Sequence, residues 1–195
     1  TKRGQADIES SIARGGGTGM WDHLWLARAR AWAEVHAGRP EVAVAALLEG
    51  VQEGIKTSHY GWSALGLHDA VAWGAASSVA EQFKTLRATM HGAPLMEGLA
   101  DSAIAIAEGD LEQVQQHIDT FLGLGSWWHA GVCSAALALI HHERGNEISA
   151  RRAATAASLW LPAGTPLMPA LNELTLTQRR IDVIGRHPAP HVVLT

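Results

Sequence analysis

Apolar residues recur at three- and four-residue steps along most of the chain, the spacing that lays one face of an α-helix on a core. From Trp21 a helical face carries Trp25, Arg28, Ala29 and Trp32, continues to Ala37 and stops at Gly38. Pro40 then opens a second run through Val42, Ala46, Leu47 and Val51, at a helix start where its missing N–H costs nothing. The same pairing of runs returns as Trp62 to Trp73 with Ser77 to Met90, Met96 to Glu108 with Leu111 to Leu122, and Trp128 to Glu143 with Ile148 to Trp160. Ser77 or Ser78, Asp110 and Asn146 stand where a side chain caps the second helix of a pair by accepting an orphan backbone N–H. Strand patterning is nearly absent: Val42-Ala43-Val44 lies among helix formers, and His191-Val192-Val193-Leu194 is a short tail.

A glycine separates the members of each pair, and Gly38, Gly74, Gly109 and Gly145 are 36, 35 and 36 residues apart. Such a period belongs to helix, turn, helix units stacked in a row. Five residues after these glycines stand Ala43, Val79, Val114 and Ala150, and nine after stand Leu47, Phe83, Ile118 and Ala154. All are apolar and one turn apart, so they share a face. Three residues before the glycines stand Val35, Val71, Ile106 and His142, the last breaking the rule. The predicted fold is all-α: TPR-like antiparallel helical hairpins, about four of them, stacked into a short right-handed superhelix over residues 20–161. Residues 1–19 read as a partial helix and a glycine-rich linker, and 162–172 as a proline-rich linker with Pro162, Gly164, Pro166 and Pro169. Residues 173–187 form a further short helix with Ile181 and Ile184 on one face, and 188–195 a tail.

Charge and composition narrow the function classes. Fifteen basic and nineteen acidic residues give a formal charge of −4 with no basic stripe, so nothing marks a nucleic-acid-binding face and direct DNA binding by this chain is not expected. A lone cysteine, Cys133, excludes an internal disulfide framework and suits a reducing cytoplasm. No signal-peptide pattern opens the chain, and no apolar run approaches the ~18 residues of a membrane span. The polar start, without methionine or cap, suggests a piece of a longer protein.

Catalytic and metal chemistry find no anchor in the sequence. His129 and Cys133 are one turn apart, but His141 is about 12 Å further along the same helix, too far for one tetrahedral site, and His142 is its neighbour. These histidines read as packing or surface residues. Gly15 to Gly19 lack the lysine and Ser/Thr of a phosphate loop, Asp110 beside Glu108 reads as a cap, and no nucleophile-elbow pattern surrounds Ser126 or Ser134. The eight tryptophans carry more. Trp25 and Trp32 share a face suited to inter-helix packing, whereas Trp127 and Trp128 point about 100° apart, so one of them is free to line a groove. Trp127, Trp128, Trp62 and His68 are the candidate residues of a partner or ligand groove.

The segment Leu174-Thr175-Leu176-Thr177-Gln178-Arg179-Arg180-Ile181-Asp182-Val183-Ile184 resembles the opening of the helix-turn-helix domain of LuxR family regulators. Leu174, Thr175, Arg179, Ile181 and Ile184 fit that pattern; Thr177 and Gln178 replace the usual arginine and glutamate, and Pro188-Ala189-Pro190 replaces the continuation. Upstream, Ala29-Arg30-Ala31-Trp32-Ala33-Glu34-Val35-His36-Ala37-Gly38-Arg39-Pro40-Glu41 and Leu67-His68-Asp69-Ala70-Val71-Ala72-Trp73-Gly74 resemble the helical-repeat region of the large ATP-binding members of that family. The resemblance implies a cytoplasmic, non-enzymatic sensing segment. It would bind a small inducer or a protein segment in its concave groove and pass the signal to other domains of the regulator. Those are an upstream ATPase, the only place where a cofactor, ATP, is expected, and a DNA-binding module. Self-association of the array is compatible with this reading. The alternative is a stand-alone TPR-like adaptor, the Leu-Thr segment then being a terminal capping helix.

Overall fold

The structure is a computed structural model and describes Ser10 and residues 20–162, omitting the side chains of 20–23. Apart from Ser10 and Pro162, the expected segments at 1–19, 162–172, 173–187 and 188–195 lie outside the described residues. Over the described residues 20–162 eight helices follow one another: α1 Met20–His36, α2 Pro40–Lys56, α3 Tyr60–Ala72, α4 Ala76–Arg87, α5 Pro94–Glu108, α6 Leu111–Gly123, α7 Trp127–Glu143 and α8 Glu147–Trp160. No strand occurs among the described residues, and the chain is all-α, a stack of helical hairpins.

All seven connections share one feature. A residue in the left-handed region stands in each, and the residue after it occupies the N-cap position of the next helix. These residues are Gly38, Ser58, Gly74, Gly92, Gly109, Gly125 and Gly145, with φ from +62° at Ser58 to +88° at Gly74. Glycine takes this conformation without a Cβ clash, which is why it recurs. In six of the seven the next N–H closes the preceding helix by a six-residue loop, as Arg39 N donates to Glu34 O at 2.9 Å and Asn146 N to His141 O at 2.8 Å. The turn at Gly92 differs: Ala93 N donates to Met90 O, and Glu97 Oε1 accepts from Gly92 N at 3.0 Å.

The capping residues follow from this arrangement. Asp110 accepts from Glu112 N and Gln113 N, and Asn146 from Ser149 N, as the sequence suggests. Ser77 and Ser78 do not cap α4. The helix begins at Ala76, and its N-cap is Ala75, which offers no side-chain acceptor. The closure of α3 by Ala75 N to Ala70 O commits Ala75 to the boundary and draws both serines into the first turn.

Packing separates two kinds of helix. The first helices of the hairpins touch one another, α1 with α3, α3 with α5 and α5 with α7, and α3 also reaches α7. The second helices pack mainly on their neighbours in the chain: α2 on α1 and α3, α4 on α3 and α5, α6 on α5 and α7, and α8 on α7, with the Phe121 side chain of α6 also reaching α3. Their inward positions are the two aligned sets, and Ala43, Val79, Val114, Ala150, Leu47, Phe83, Ile118 and Ala154 are all buried. A fully buried Leu47 or Phe83 contributes about 1.5–3 kcal/mol relative to an exposed one. His142, the exception in the third set, is exposed and pairs with Glu147 at 2.7 Å. Because α3 is covered by α1, α2, α4, α5 and α7, it is buried from Ser63 onward apart from a half-buried Leu65, and Ser63, His68 and Asp69 are among the buried residues. Gly66 makes room for this, since a Cβ there would lie 3.2 Å from Val51 of α2.

Candidate functional site

The array curls around α3, so that its first and fourth hairpins meet. Trp32 of α1 lies 5.3 Å, ring centre to ring centre, from Trp73, where α3 ends, and 6.0 Å from Trp128 of α7. Polar groups gather behind these rings. Arg28 Nε donates to Asp69 Oδ2 at 2.7 Å, and Trp32 Nε1 donates to the same oxygen at 3.2 Å. This carboxylate therefore ties α3 to two residues of α1. Burial pulls the Asp69 carboxyl above the ordinary range, and the bonds from Arg28 and Trp32 only partly offset it.

On the other side of α3, the ring of His68 lies 4.9 Å from that of His129 on α7 and 6.2 Å from Phe121 on α6. His129 Nδ1 is 2.6 Å from Ser126 Oγ, and His68 Nε2 is 3.5 Å from Ser102 Oγ on α5. His68 Nδ1 is buried without a hydrogen-bond partner. Desolvation lowers both histidines: His68 falls well below its usual value, with the charge of His129 adding to the effect, and His129 drops to about 4, with Arg28 adding. Both rings are neutral at pH 7. Cys133 is fully buried nearby on α7, and burial pushes its thiol up to about 12, so it is no nucleophile.

The four groove candidates do not converge on one open groove. His68 is only 1% exposed and belongs to the interior. Trp128 is half-buried against Trp32, while Trp62, also half-buried, packs at 4.9 Å on Trp25. Trp127 is half-exposed and stacks at 4.8 Å on Trp160, at the outer end of the array. Helix α7 begins at Trp127, so the 100° between neighbours sends one ring inward and the other out. The remaining histidines are dispersed too: His141 lines a groove between α6 and α8, and His142 faces Glu147. Among the described residues no group of three His, Cys, Asp or Glu side chains comes within reach of one metal ion.

Sequence reasoning missed Arg28 and Asp69 as a pair. The available signal was an arginine and an aspartate each on an apolar helical face, where a charge requires a partner. What remains accessible on this inner face is a strip of Trp25, Arg28, Trp62, Trp32, Trp128 and His129, with the Arg28 guanidinium 5.1 Å from the Trp25 ring centre. No helix among the described residues is long and apolar enough to cross a membrane. Comparison of the chain with protein-family models, with curated proteins and with solved structures finds no match in any of the three.

Proposed function

We propose that this chain is the helical-repeat sensing and coupling segment of a cytoplasmic LuxR-type transcriptional regulator, acting by binding rather than catalysis. The observation that supports the reading is the contact of Trp32 with Trp128, which joins the first hairpin to the fourth beside the Arg28 to Asp69 pair. A small inducer or protein segment seated on the aromatic strip would favour one packing of the curled array over another. Neighbouring ATPase and DNA-binding modules would read that shift. Binding can shift such an equilibrium only by its differential affinity for the two packings, and an interface shared by both ends of the array supplies one.

The test is transcript profiling of cells in which Trp128→Ala replaces the native residue at the chromosomal locus, with protein abundance checked in parallel. A defined set of promoters should change their response while the protein's level stays within about twofold. An unchanged transcriptome together with the loss of a specific protein from pull-downs would replace this reading by the stand-alone adaptor. Residues 20–162 alone are expected to give no operator shift on a gel; a specific shift would also overturn the assignment of DNA binding to another module.

A further inference from the structure

A groove of about 310 Å³ lies on α7 between α6 and α8, apart from the inner face. Its floor is apolar, from Ile118, Leu137 and Ala153, all buried. Five polar residues complete it, Gln115, Ser134, His141, Ser149 and Arg152, of which only Arg152 carries a fixed charge. His141 is half-buried in this lining. Arg152 is exposed and makes no ion pair among the described residues.

Charge singles this groove out from three others on the surface. The groove at Gly74 and Gly109 contains Glu108 and Glu143 beside Arg144, whose Nη2 is already bonded to Gly109 O at 2.7 Å. The groove between α1 and α2 sets Glu49 and Glu53 against Arg30, and the groove at Pro40 carries Glu41 with no cation. Only in the groove over α7, of these four, does a cation stand in the lining without an acid. An arginine fork with an imidazole in the same lining suits a carboxylate, and the floor suits a few methylenes. The volume is at the bottom of the usual ~300–1,000 Å³ range for ligand sites, which restricts the ligand to a small molecule.

We propose that the α6–α7–α8 groove binds a short-chain carboxylic acid, with its carboxylate on Arg152 and His141 and its alkyl chain on Ile118, Leu137 and Ala153. The site stands independently of the function proposed for the inner face. Hexanoate titrated into the full chain and followed by methyl NMR should shift the Ile118, Leu137 and Ala153 methyls saturably, at about 1 mM or tighter. Arg152→Gln, at an exposed position that leaves the fold intact, should weaken binding at least about tenfold. Ala156→Phe, which fills the groove, should abolish it. Hexanamide or hexylamine binding as tightly as hexanoate would overturn the proposal, as would an unchanged Arg152→Gln affinity or methyl shifts elsewhere. Inorganic phosphate competing as strongly as hexanoate would refute the apolar part. A concentration-dependent dimer lost in Ala156→Phe would assign the groove to a second copy instead.

Discussion

His129 shows how a single side chain sets the conditions under which the array is stable. Its folded pKa, about 4, lies below the 6.5 of a free imidazole, so the unfolded chain takes up the proton first as pH falls. The contribution of His129 to stability is therefore flat above pH 6.5, declines from there to about pH 4, and falls by on the order of 3 kcal/mol across that window. His68 acts in the same direction, while Asp69, whose pKa is raised, opposes it at the lower end. The groups around His129 are Arg28 of α1, His68 of α3, Phe121 of α6 and Ser126 at the start of α7, and the cation among them opposes protonation. Urea unfolding at pH 7.5, 6 and 5 should show the midpoint falling well above the carboxylate range, and His129→Gln should flatten that fall. An equal decline in the variant would remove His129 as the cause. Cys133 makes a second prediction at this scale. With its thiol pushed up to about 12 and no exposure, it should resist iodoacetamide at pH 8 in the folded protein and react fully in 6 M guanidinium. Rapid labelling without denaturant would show that α7 opens locally.

At the scale of the element, the turns decide where each helix begins, and their caps are unequal. Asp110 holds two N–H groups at 3.1 and 3.0 Å, so Asp110→Ala should cost about 1 kcal/mol in chemical denaturation. Ala75 occupies the same step after Gly74 with nothing to offer, so Ala75→Ser should stabilise by ~0.5–1 kcal/mol. No gain from Ala75→Ser would mean that its φ of −99° and ψ of 27° hold the hydroxyl away from the first-turn N–H groups. This pair also marks what was legible in the sequence. The turns within hairpins announce themselves, because only glycine is comfortable at φ near +75° and it recurs at a fixed step. One turn between hairpins is hidden, since Ser58 takes the same conformation at +62° with a Cβ. The Ser77/Ser78 cap is misplaced for a related reason: capping propensity ranks residues, whereas the closing bonds of the previous helix fix the position.

At the scale of the whole molecule, the curl around α3 was not legible at all, because it depends on small rotations summed over several hairpins rather than on any local pattern. His68 shows the consequence. The face that carries it is apolar on one side only in the sequence, yet α5, α6 and α7 all close over it, so a residue expected at a groove becomes core. The same closure separates this array from a simple linear stack, in which each repeat senses only its neighbours. In a linear stack a change in the fourth hairpin leaves hydrogen exchange in the first untouched. Here Trp128 of the fourth packs on Trp32 of the first, and Trp32 in turn holds Asp69 of the second. Trp128→Ala should therefore raise amide exchange along α1 as well as α7. A double-mutant cycle of Trp32→Ala with Trp128→Ala should return a coupling energy of about 0.5–1.5 kcal/mol, the range of an aromatic pair beyond its burial. The cycle separates contact from general destabilisation, because two independent losses add and two ends of one contact do not. Additive losses, with exchange in α1 unchanged, would reduce the array to nearest-neighbour stacking and take away the physical route by which binding at one end could be felt at the other.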